Sequence, residues 1–515
     1  MKKDPPDQVW IGVDIGTTGV RAIAYMADST NIGSSEAFYP LLTPRPDWAE
    51  ESPLQIYEAV QEVIKNTADQ LRYKNIKASG IALSTVMHSF AGLDEAKKPL
   101  MNMQTWADSR SLNIVRELKK DTELSRDFYN RTCCPIHACY PLAKILWLRK
   151  YAEDIFKKTK YIGSLKDYIF YNLTGEWVID HSTASTSGMY NAKKMDWDDE
   201  ILRYAGVKKT ALPAIVSTTY HSFLSRRAAE FLHLQSGMPV VIGATDGVLV
   251  NVGIGAVNPG QLSATIGTSG ALRMLTTKPM VDKHMRTWCY NLTDEMWVAG
   301  GAINNGGMIL RWLRDKVCHY SKNQMENIDV DPYDLMTLKA GHVAPGSEGL
   351  ILMPFFTGER APYWNSELRG IFFGLSLNHG RSHMIRAAME GICYCLNSVF
   401  MALQDFGNIK DIRVSGSFTK SPLWLQILAD VLDQKLILPG NSEGAAFGAA
   451  VLGFISDGTL KNINETAALV NSKKIFAPIA ENTEVYKRLY DIFSRLYFNL
   501  QDEFADIVSY QTKLH

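Results

Sequence analysis

The 515-residue sequence has no excess of charge of either sign, because Lys plus Arg and Asp plus Glu each total 54. Proteins that bind nucleic acids or anionic membranes usually carry a basic excess, so we expect neither kind of partner. No stretch approaches the roughly 18 apolar residues of a membrane-spanning helix. Two lysines near the start have no apolar run behind them, which is unlike a signal peptide and favours a cytoplasmic protein.

Cysteine motifs and two common nucleotide motifs are also missing. The seven cysteines form no Cys-x-x-Cys pattern, so free thiols fit better than a disulfide framework or a zinc site. The sequence contains neither Gly-x-x-x-x-Gly-Lys-Ser/Thr nor Gly-x-Gly-x-x-Gly, which excludes a P-loop and a Rossmann-type dinucleotide site. Backbone amides in another kind of glycine loop could still bind phosphate.

The patterns that are present predict an α/β protein with two domains, which we place at residues 1–247 and 248–515, because the chain is too long for one ordinary core. A helix is predicted from Pro53 to about residue 72, with Ser52 as its N-cap. Predicted strands alternate with helices in both halves. The strands are expected at residues 9–13, 20–25, 76–83, 262–266, 296–299, 349–353, 411–415 and 435–438.

An aspartate, Asp246, ends the apolar, β-branched run at residues 240–245. Open α/β sheets bind ligands at the carboxyl ends of their strands, so we expect Asp246 to face a cleft and to act as a catalytic base. Asp14 follows the predicted strand at residues 9–13 in a similar way. One carboxylate can organise Mg²⁺ while the other accepts a proton from an attacking hydroxyl, as phosphoryl transfer requires. Aspartates at strand ends are also common turn formers.

A five-residue pattern occurs once in each half of the chain. Residues 15–19, Ile-Gly-Thr-Thr-Gly, return as residues 266–270, Ile-Gly-Thr-Ser-Gly, again between two apolar runs. A pattern repeated once per half indicates two domains built on one plan. Glycines allow backbone N–H groups to approach an anion, so two such loops facing each other could hold a polyphosphate. Either loop alone is more simply explained as an ordinary hairpin.

Polar residues in the first half could line a site for a hydroxylated ligand. They are His88, Trp106, Asp108, Arg110 and His137. An arginine can bind a carboxylate through two parallel hydrogen bonds, so an acidic ligand is possible. Taken singly, each of these residues is more commonly a structural hydrogen-bonding group.

One pattern points to a different enzyme class. Residues 440–444 read Gly-Asn-Ser-Glu-Gly, which matches the nucleophile elbow of α/β-hydrolases. That mechanism needs a histidine after Ser442, and the candidate is His515, the last residue, which we expect to be frayed. We therefore disfavour a hydrolase. The Gly/Ala-rich helix that follows indicates close backbone packing or a ligand lying against it.

Several segments, in the same order along the chain, resemble the FGGY family of carbohydrate kinases. The resemblance covers nearly the whole chain and is carried by residues 14–21, 141–148, 243–247, 370–390 and 414–427. The sequence departs from the family pattern at Cys139, two residues before Pro141, and at Ser417, where a second glycine is common.

The resemblance implies an actin-like ATPase fold, with two ribonuclease-H-like domains flanking a cleft. It also implies ATP and Mg²⁺ as cofactors, a sugar or polyol as the small-molecule substrate, and a homodimer. The first domain would bind the sugar and the second the nucleotide. Carried over to this sequence, the catalytic base is Asp246, the metal residue is Asp14, and the phosphate residues are Thr17, Thr18, Arg21, Gly267 and Thr268. The nucleotide residues are Gly307, Arg311, Gly416, Ser417 and Ser421.

The substrate is inferred from segments around the sugar-side residues. Residues 87–89, 105–110 and 134–137 are most similar to those of the gluconate kinases of this family, with 6-phosphogluconate as the expected product. His88, Arg110 and His137 would then read the acid end. Xylulose kinases are an alternative, whereas glycerol kinases carry an Arg-Glu pair where this chain has Met87 and His88. A non-catalytic actin-like nucleotide switch is a remote alternative, because it would not need the sugar-side residues.

Overall fold

The computed structural model describes residues 8–319, 331–440 and 444–512. Ser442 and His515, on which the hydrolase alternative depends, lie outside the described residues. The strands before residue 246 are β1 Val9–Ile15, β2 Gly19–Met26, β3 Asn31–Phe38, β4 Glu50–Glu51, β5 Gly80–Thr85, β6 Ala91–Leu93, β7 Met103–Gln104, β8 Tyr161–Gly163, β9 Val178–Asp180, β10 Tyr190–Asn191, β11 Asp196–Trp197, β12 Ala214–Val216, β13 His221–Phe223 and β14 Pro239–Thr245. The later strands are β15 Gln261–Ile266, β16 Gly270–Thr276, β17 Trp288–Thr293, β18 Met296–Ile303, β19 Ile351–Met353, β20 Ile371–Phe373, β21 Asp411–Ser415, β22 Leu436–Pro439 and β23 Ser472–Phe476.

Helices cover both faces of the sheets. In the first half they are α1 Pro53–Tyr73, α2 Leu112–Lys120, α3 Thr122–Thr132, α4 Pro141–Tyr151, α5 Glu153–Lys158, α6 Leu165–Thr174, α7 His181–Ser185, α8 Asp199–Ala205, α9 Arg226–Leu232 and α10 Asp246–Gly253. In the second half they are α11 Gly307–Trp312, α12 Pro332–Gly341, α13 Arg381–Gln404, α14 Pro422–Leu432, α15 Gly444–Ser456, α16 Thr466–Leu469, α17 Ala480–Asn499 and α18 Gln501–Thr512.

The first half is built on a six-stranded sheet in the order β13-β14-β5-β1-β2-β3. Strands β1 and β2 form the predicted antiparallel hairpin, and β1, β5 and β14 run parallel to one another. All six residues of β5 are buried, as expected for a central parallel strand that is covered on both faces. β5 begins at Gly80, later than predicted, because its register with β1 starts at the pair of Trp10 and Gly80.

The second half repeats the plan of the first. Its seven-stranded sheet has the order β17-β18-β16-β15-β21-β22-β23. β15 forms an antiparallel hairpin with β16 and runs parallel to β21, which in turn runs parallel to β22. The edge strand β23 is antiparallel to β22, as β13 is to β14. The prediction of two domains on one plan is therefore confirmed.

The predicted start of the helix at Pro53 is also confirmed. Ser52 accepts a hydrogen bond from the backbone N–H of Gln55 at the start of α1, and Pro53 occupies its first turn. A proline there costs nothing, because the first helical N–H has no partner within the helix.

Two close backbone contacts join the halves of the chain through α15. This helix comes from the second half, yet it packs on β1, β5 and α10. A Cβ at Gly12 would lie 2.1 Å from the carbonyl oxygen of Ala446, and one at Gly448 would lie 2.3 Å from that of Leu249. Glycine is required at both positions because no side chain fits between the backbones. The Gly/Ala-rich pattern thus reflects close backbone packing.

All seven cysteines are buried and have free thiols. None of the helices in the described ranges combines the length and the apolar character needed to cross a membrane.

We expect Gly12→Ala to lower the free energy of unfolding by about 1–3 kcal/mol, since the added methyl group would overlap the backbone of α15. The matched control is Gly380→Ala, because a Cβ at Gly380 meets nothing within 4 Å and its φ of −120° suits alanine. Urea unfolding of both variants checks this. Equal effects of the two substitutions would contradict the close-packing argument.

Candidate active site

Asp246 lies where β14 ends and α10 begins. The register of β14 with β5 shifts within β14, and Gly243 there has a φ of +71°. A Cβ on Gly243 would lie 1.7 Å from the carbonyl oxygen of Leu83. A bulge of this kind re-aims the residues that follow it. The Asp246 carboxylate is half-buried and accepts a hydrogen bond of 2.6 Å from the N–H of Gly247.

Burial raises the pKa of Asp246 above its ordinary value. The Gly247 N–H and the positive charges of Arg273 and Lys166 oppose the rise. A carboxylate whose pKa is raised toward neutrality is a stronger proton acceptor than a solvated aspartate. The local electrostatics therefore suit a general base.

A buried ion pair supports the end of β14. The Lys166 ammonium lies 3.1 Å from the Asp180 carboxylate, and neither side chain is exposed. Asp180 also caps α7, whose Ser182 hydroxyl lies 3.0 Å from the Thr245 hydroxyl and accepts a hydrogen bond from the Thr245 N–H. These contacts hold the residue that directly precedes Asp246.

Asp14 lies at the same edge of the sheet as Asp246. The Ser84 hydroxyl donates a hydrogen bond of 2.8 Å to the Asp14 carboxylate. In the strand register Ser84 pairs with Asp14 on one side and with Ala244 on the other. Strands lie about 4.8 Å apart, so Asp14 is about 10 Å from the end of β14. The structure thus brings the two carboxylates to one edge, as the sequence predicted.

In the second half, the glycine loop between β15 and β16 is bonded to the start of α11. The carbonyl oxygen of Gly267 accepts from the N–H of Gly307 at 2.7 Å, and that of Thr268 accepts from Gly306 at 3.1 Å. A Cβ on Gly416 would touch the carbonyl oxygen of Ile266. The structure therefore brings together Gly267, Thr268, Gly307 and Gly416, which come from three separate segments. A Cβ on Gly267 would meet nothing within 4 Å, so open space lies beside this loop.

The other predicted nucleotide residues lie around this cluster. Ser417 follows Gly416 and is exposed, while Arg311 is exposed on α11. The Ser421 hydroxyl already has a structural contact, since it accepts a hydrogen bond from the N–H of Trp424 and caps α14.

The loop between β1 and β2 occupies the equivalent position in the first half. Thr18 is exposed, as is its counterpart Thr268. Thr17 accepts a hydrogen bond of 2.9 Å from the indole N–H of Trp106, which ties this loop to the predicted sugar side. Arg21 lies on β2 and pairs with Glu36 at 2.9 Å on the surface. Its predicted phosphate contact therefore stays a prediction.

Asp108 and Arg110 belong to a buried charge cluster. The Arg110 guanidinium donates to both oxygens of Asp108 and, at 2.6 Å, to Glu50. It also lies 3.5 Å above the ring of Trp48. Two carboxylates thus already surround this one cation. The spacing of Asp108 and Arg110 lets the two side chains bond to each other. Their predicted role in substrate binding stays a prediction.

His88 is buried and His137 is half-buried. Burial lowers the pKa of His88 to about 3, and the ring contacts Tyr140 and Tyr290. Its Nδ1 lies 2.8 Å from the carbonyl oxygen of Thr186. Burial also lowers the pKa of His137, with the charges of nearby cations acting in the same direction. Both imidazoles are therefore neutral at physiological pH and could hydrogen-bond hydroxyl groups without contributing positive charge.

Sequence reasoning missed four basic residues near the site. Lys144 is fully buried and donates to the carbonyl oxygens of His88, Gln104 and Thr105. The charges of Lys166 and Arg273 lower the pKa of Asp246. The charge of Arg360 lowers the pKa values of His88 and His137. A lysine inside the apolar segment at residues 141–148 and an arginine inside the apolar strand β16 were available signals, because isolated charges in such runs are rarely buried without a partner.

A doubled sheet plan, with a glycine hairpin in each sheet and two carboxylates at one edge of the first, defines the class of actin-like nucleotide-binding proteins. The family models described as "FGGY family of carbohydrate kinases", N-terminal domain and C-terminal domain, match residues 9–253 and 262–456. The chain belongs to the FGGY family of carbohydrate kinases. The fold class and the enzyme class predicted from the sequence are both confirmed. The exact domain boundary at residue 247 stays a prediction.

Similar proteins cover the whole length of the chain. A gluconokinase of Bacillus subtilis (strain 168) is 39% identical over 98% of both sequences. The crystal structure of gluconate kinase from Lactobacillus acidophilus superposes with a TM-score of 0.90 at 29% identity, covering 97% of this chain and 100% of that one. The structure of a ligand-bound xylulose kinase from the same species gives the same TM-score, identity and coverage.

We expect Arg110→Met to destabilise the protein by about 3–5 kcal/mol, because it leaves the buried carboxylates of Asp108 and Glu50 without their cation. Arg116→Met is the control, since Arg116 forms an exposed pair with Glu367 and should cost less than about 1 kcal/mol. Urea unfolding measures both. A stable Arg110→Met variant that has lost only substrate affinity would show instead that Arg110 is a ligand-binding residue.

Proposed function

We propose that this carbohydrate kinase transfers the γ-phosphoryl group of ATP to D-gluconate and forms 6-phospho-D-gluconate. The observation that carries the reaction type is the position of Asp246, at a sheet edge that also carries Asp14 and a glycine loop. The full-length similarity to gluconokinases supports the choice of substrate. We assign the sugar to the first domain, residues 1–247, and the nucleotide to the second, residues 248–515.

The described residues fit ATP. Open space beside Gly267, exposed hydroxyls on Thr18 and Thr268, and loop backbone N–H groups are the features that suit a polyphosphate. Bound ATP supplies the phosphoryl group. Residues assigned to its phosphates are Thr17, Thr18, Arg21, Gly267 and Thr268, and those assigned to the rest of the nucleotide are Gly307, Arg311, Gly416, Ser417 and Ser421.

We assign Mg²⁺ to Asp14. Proteins commonly bind this ion through one or two carboxylates, with phosphate oxygens and water completing the coordination. Within the described ranges, no cluster of three or more His, Cys, Asp or Glu side chains could hold a metal ion unaided. A single carboxylate oriented by Ser84 suits a metal that arrives with the nucleotide.

The chemistry assigned to Asp246 is removal of a proton from the 6-hydroxyl of gluconate as that oxygen bonds to phosphorus. The Gly247 N–H and the charges of Arg273 and Lys166 oppose the rise of the Asp246 pKa, and so favour the ionised carboxylate that accepts the proton. We assign the sugar hydroxyls to His88, Trp106, Asp108, Arg110 and His137, with Trp106 connecting them to the phosphate loop. Closure of the two domains would then exclude water from the reacting groups.

A xylulose kinase is the second candidate, because a solved xylulose kinase superposes as well as the gluconate kinase does. The sequence comparison separates them: a gluconokinase is 39% identical to this chain, and a xylulose kinase of Bacillus subtilis (strain 168) is 26% identical. A homodimer, which the family resemblance implied, stays a prediction.

ADP release should be measured with gluconate, xylulose, ribulose, glycerol and glucose as acceptors. We expect the highest kcat/KM with gluconate, by at least tenfold, because buried polar groups placed for one substrate are left unpaired by another. A higher value with xylulose would replace gluconate as the substrate while leaving the kinase assignment intact. ADP release that does not depend on any sugar would favour a nucleotide switch.

Asp246→Asn should lower kcat by about 10²–10⁴-fold with little change in nucleotide affinity, because the amide cannot accept the proton. The same variant should be more stable than the wild type at pH 7–8, by about 0.5–2 kcal/mol. A carboxyl group with a raised folded-state pKa costs stability progressively as the pH rises above its unfolded-state pKa of about 4. The difference should vanish below that pH, where Asp246 is protonated in both states.

Steady-state kinetics and urea unfolding across the pH range check these two expectations. Asp405→Asn is the control, since this aspartate is exposed and pairs with Arg286 away from the site. Near-normal turnover of Asp246→Asn would remove Asp246 from its role as the base.

A further inference from the structure

Among the described residues, no carboxylate forms an ion pair with the guanidinium of Arg360. Arg360 lies in the segment between β19 and β20, and its guanidinium donates to the side-chain oxygen of Asn304 at 2.7 Å and to the carbonyl oxygen of Ile303 at 3.2 Å. In the part of the chain that the structure describes, both acceptors of this side chain are neutral oxygens. The guanidinium is half-buried and keeps further N–H donors for a ligand.

The loop that carries Arg360 is held firmly by its neighbour. Glu359 is buried and accepts hydrogen bonds from the N–H groups of Asn304 and Arg360 and from the side chain of Asn305. These bonds tie the loop to the end of β18, so Arg360 is presented from a fixed backbone.

Although Arg360 belongs to the second half of the chain, its side chain reaches the sugar side of the first. The guanidinium lies 4.9 Å from the centre of the Trp106 ring. Its charge contributes to the lowered pKa values of His88 and His137, which places all three groups around one region. This region is lined by neutral imidazoles and by an indole, with Arg360 as a cation beside them.

The other basic groups near this region have contacts of their own. Arg273 donates to the Thr265 hydroxyl at 3.3 Å, and its charge acts on the carboxylate of Asp246. Arg110 is bonded to Asp108 and Glu50. Lys144 donates to three backbone carbonyls, and Lys119 donates to the carbonyl oxygen of Trp364. An acidic ligand beside Trp106 would therefore meet the guanidinium of Arg360, which keeps N–H donors for it.

We propose that Arg360 is a specificity-determining residue that binds the carboxylate of the sugar acid when the two domains face each other around the substrate. This inference rests on the proposed function, since it assumes an aldonate substrate. A guanidinium matches a carboxylate with two parallel hydrogen bonds, which a neutral sugar cannot form. The contact also makes recognition of the acid depend on the second domain, so that an acidic substrate favours the closed arrangement.

The test compares gluconate with D-gluconamide, which keeps every hydroxyl group but has no negative charge. We expect Arg360→Ala to lower kcat/KM for gluconate on the order of 10²-fold, mainly through KM, because hydrogen bonds to charged groups are lost. Turnover of gluconamide should change less than about threefold, which also shows that the variant is folded. Arg360→Lys should recover part of the loss, since it keeps the charge without the two-pronged geometry. Arg226→Ala, an exposed arginine paired with Glu230, is the matched control and should leave both substrates unchanged.

The outcomes separate this inference from the proposed function. If the wild type phosphorylates gluconate and Arg360→Ala keeps its preference for the acid over the amide, the role of Arg360 is wrong and the function stands. An equal loss with both substrates would place Arg360 on the transferred phosphoryl group or in the structure, and would also overturn the inference. If the wild type prefers a neutral sugar, the proposed function itself fails, and the role of Arg360 fails with it.

Discussion

The close contact of α15 with β1 and α10 is the constraint on which the rest of the site depends. Glycine at positions 12 and 448 lets two backbones meet where any side chain would collide. Because α10 begins at Asp246, the same contact that joins the halves also holds the helix that starts with the proposed base. Interiors are packed too densely to deform continuously, so a contact of this kind sets how the two sheets face each other.

The two halves contribute different kinds of charged group to the region around this junction. The first half buries Arg110 with Asp108 and Glu50, and Lys166 with Asp180, so these two cations are matched internally. Burial lowers the pKa values of His88 and His137 and so favours their neutral forms. Arg360, contributed by the second half, faces this neutral surface. A substrate in the cleft would thus meet hydrogen-bonding groups from one domain and an available charge from the other, which couples its recognition to the way the domains approach.

Local features of the sequence predicted much of the fold and the places of the two glycine loops. The cap at Ser52, the hairpin glycines at residues 16–19 and 267–270, and the strand-end positions of Asp14 and Asp246 each depend on near neighbours in the chain. Chain propensities act over these short distances, so they can be read without a structure. The repeated glycine pattern also indicated the duplicated plan, because it marks the same hairpin in both sheets.

What only the tertiary structure decided is which of the polar residues are already satisfied. The sequence shows Arg110 two residues after Asp108, but Glu50 and Trp48, which complete the cluster, come from a distant segment. The same holds for Arg360, whose neighbours Trp106 and His88 lie in the other half of the chain. The availability of a charge depends on burial and on partners that folding brings together. By itself, the sequence determined the main strands, the repeated loops and the two carboxylates at strand ends. The packing of the two halves decided which charged side chains are matched by partners from distant segments.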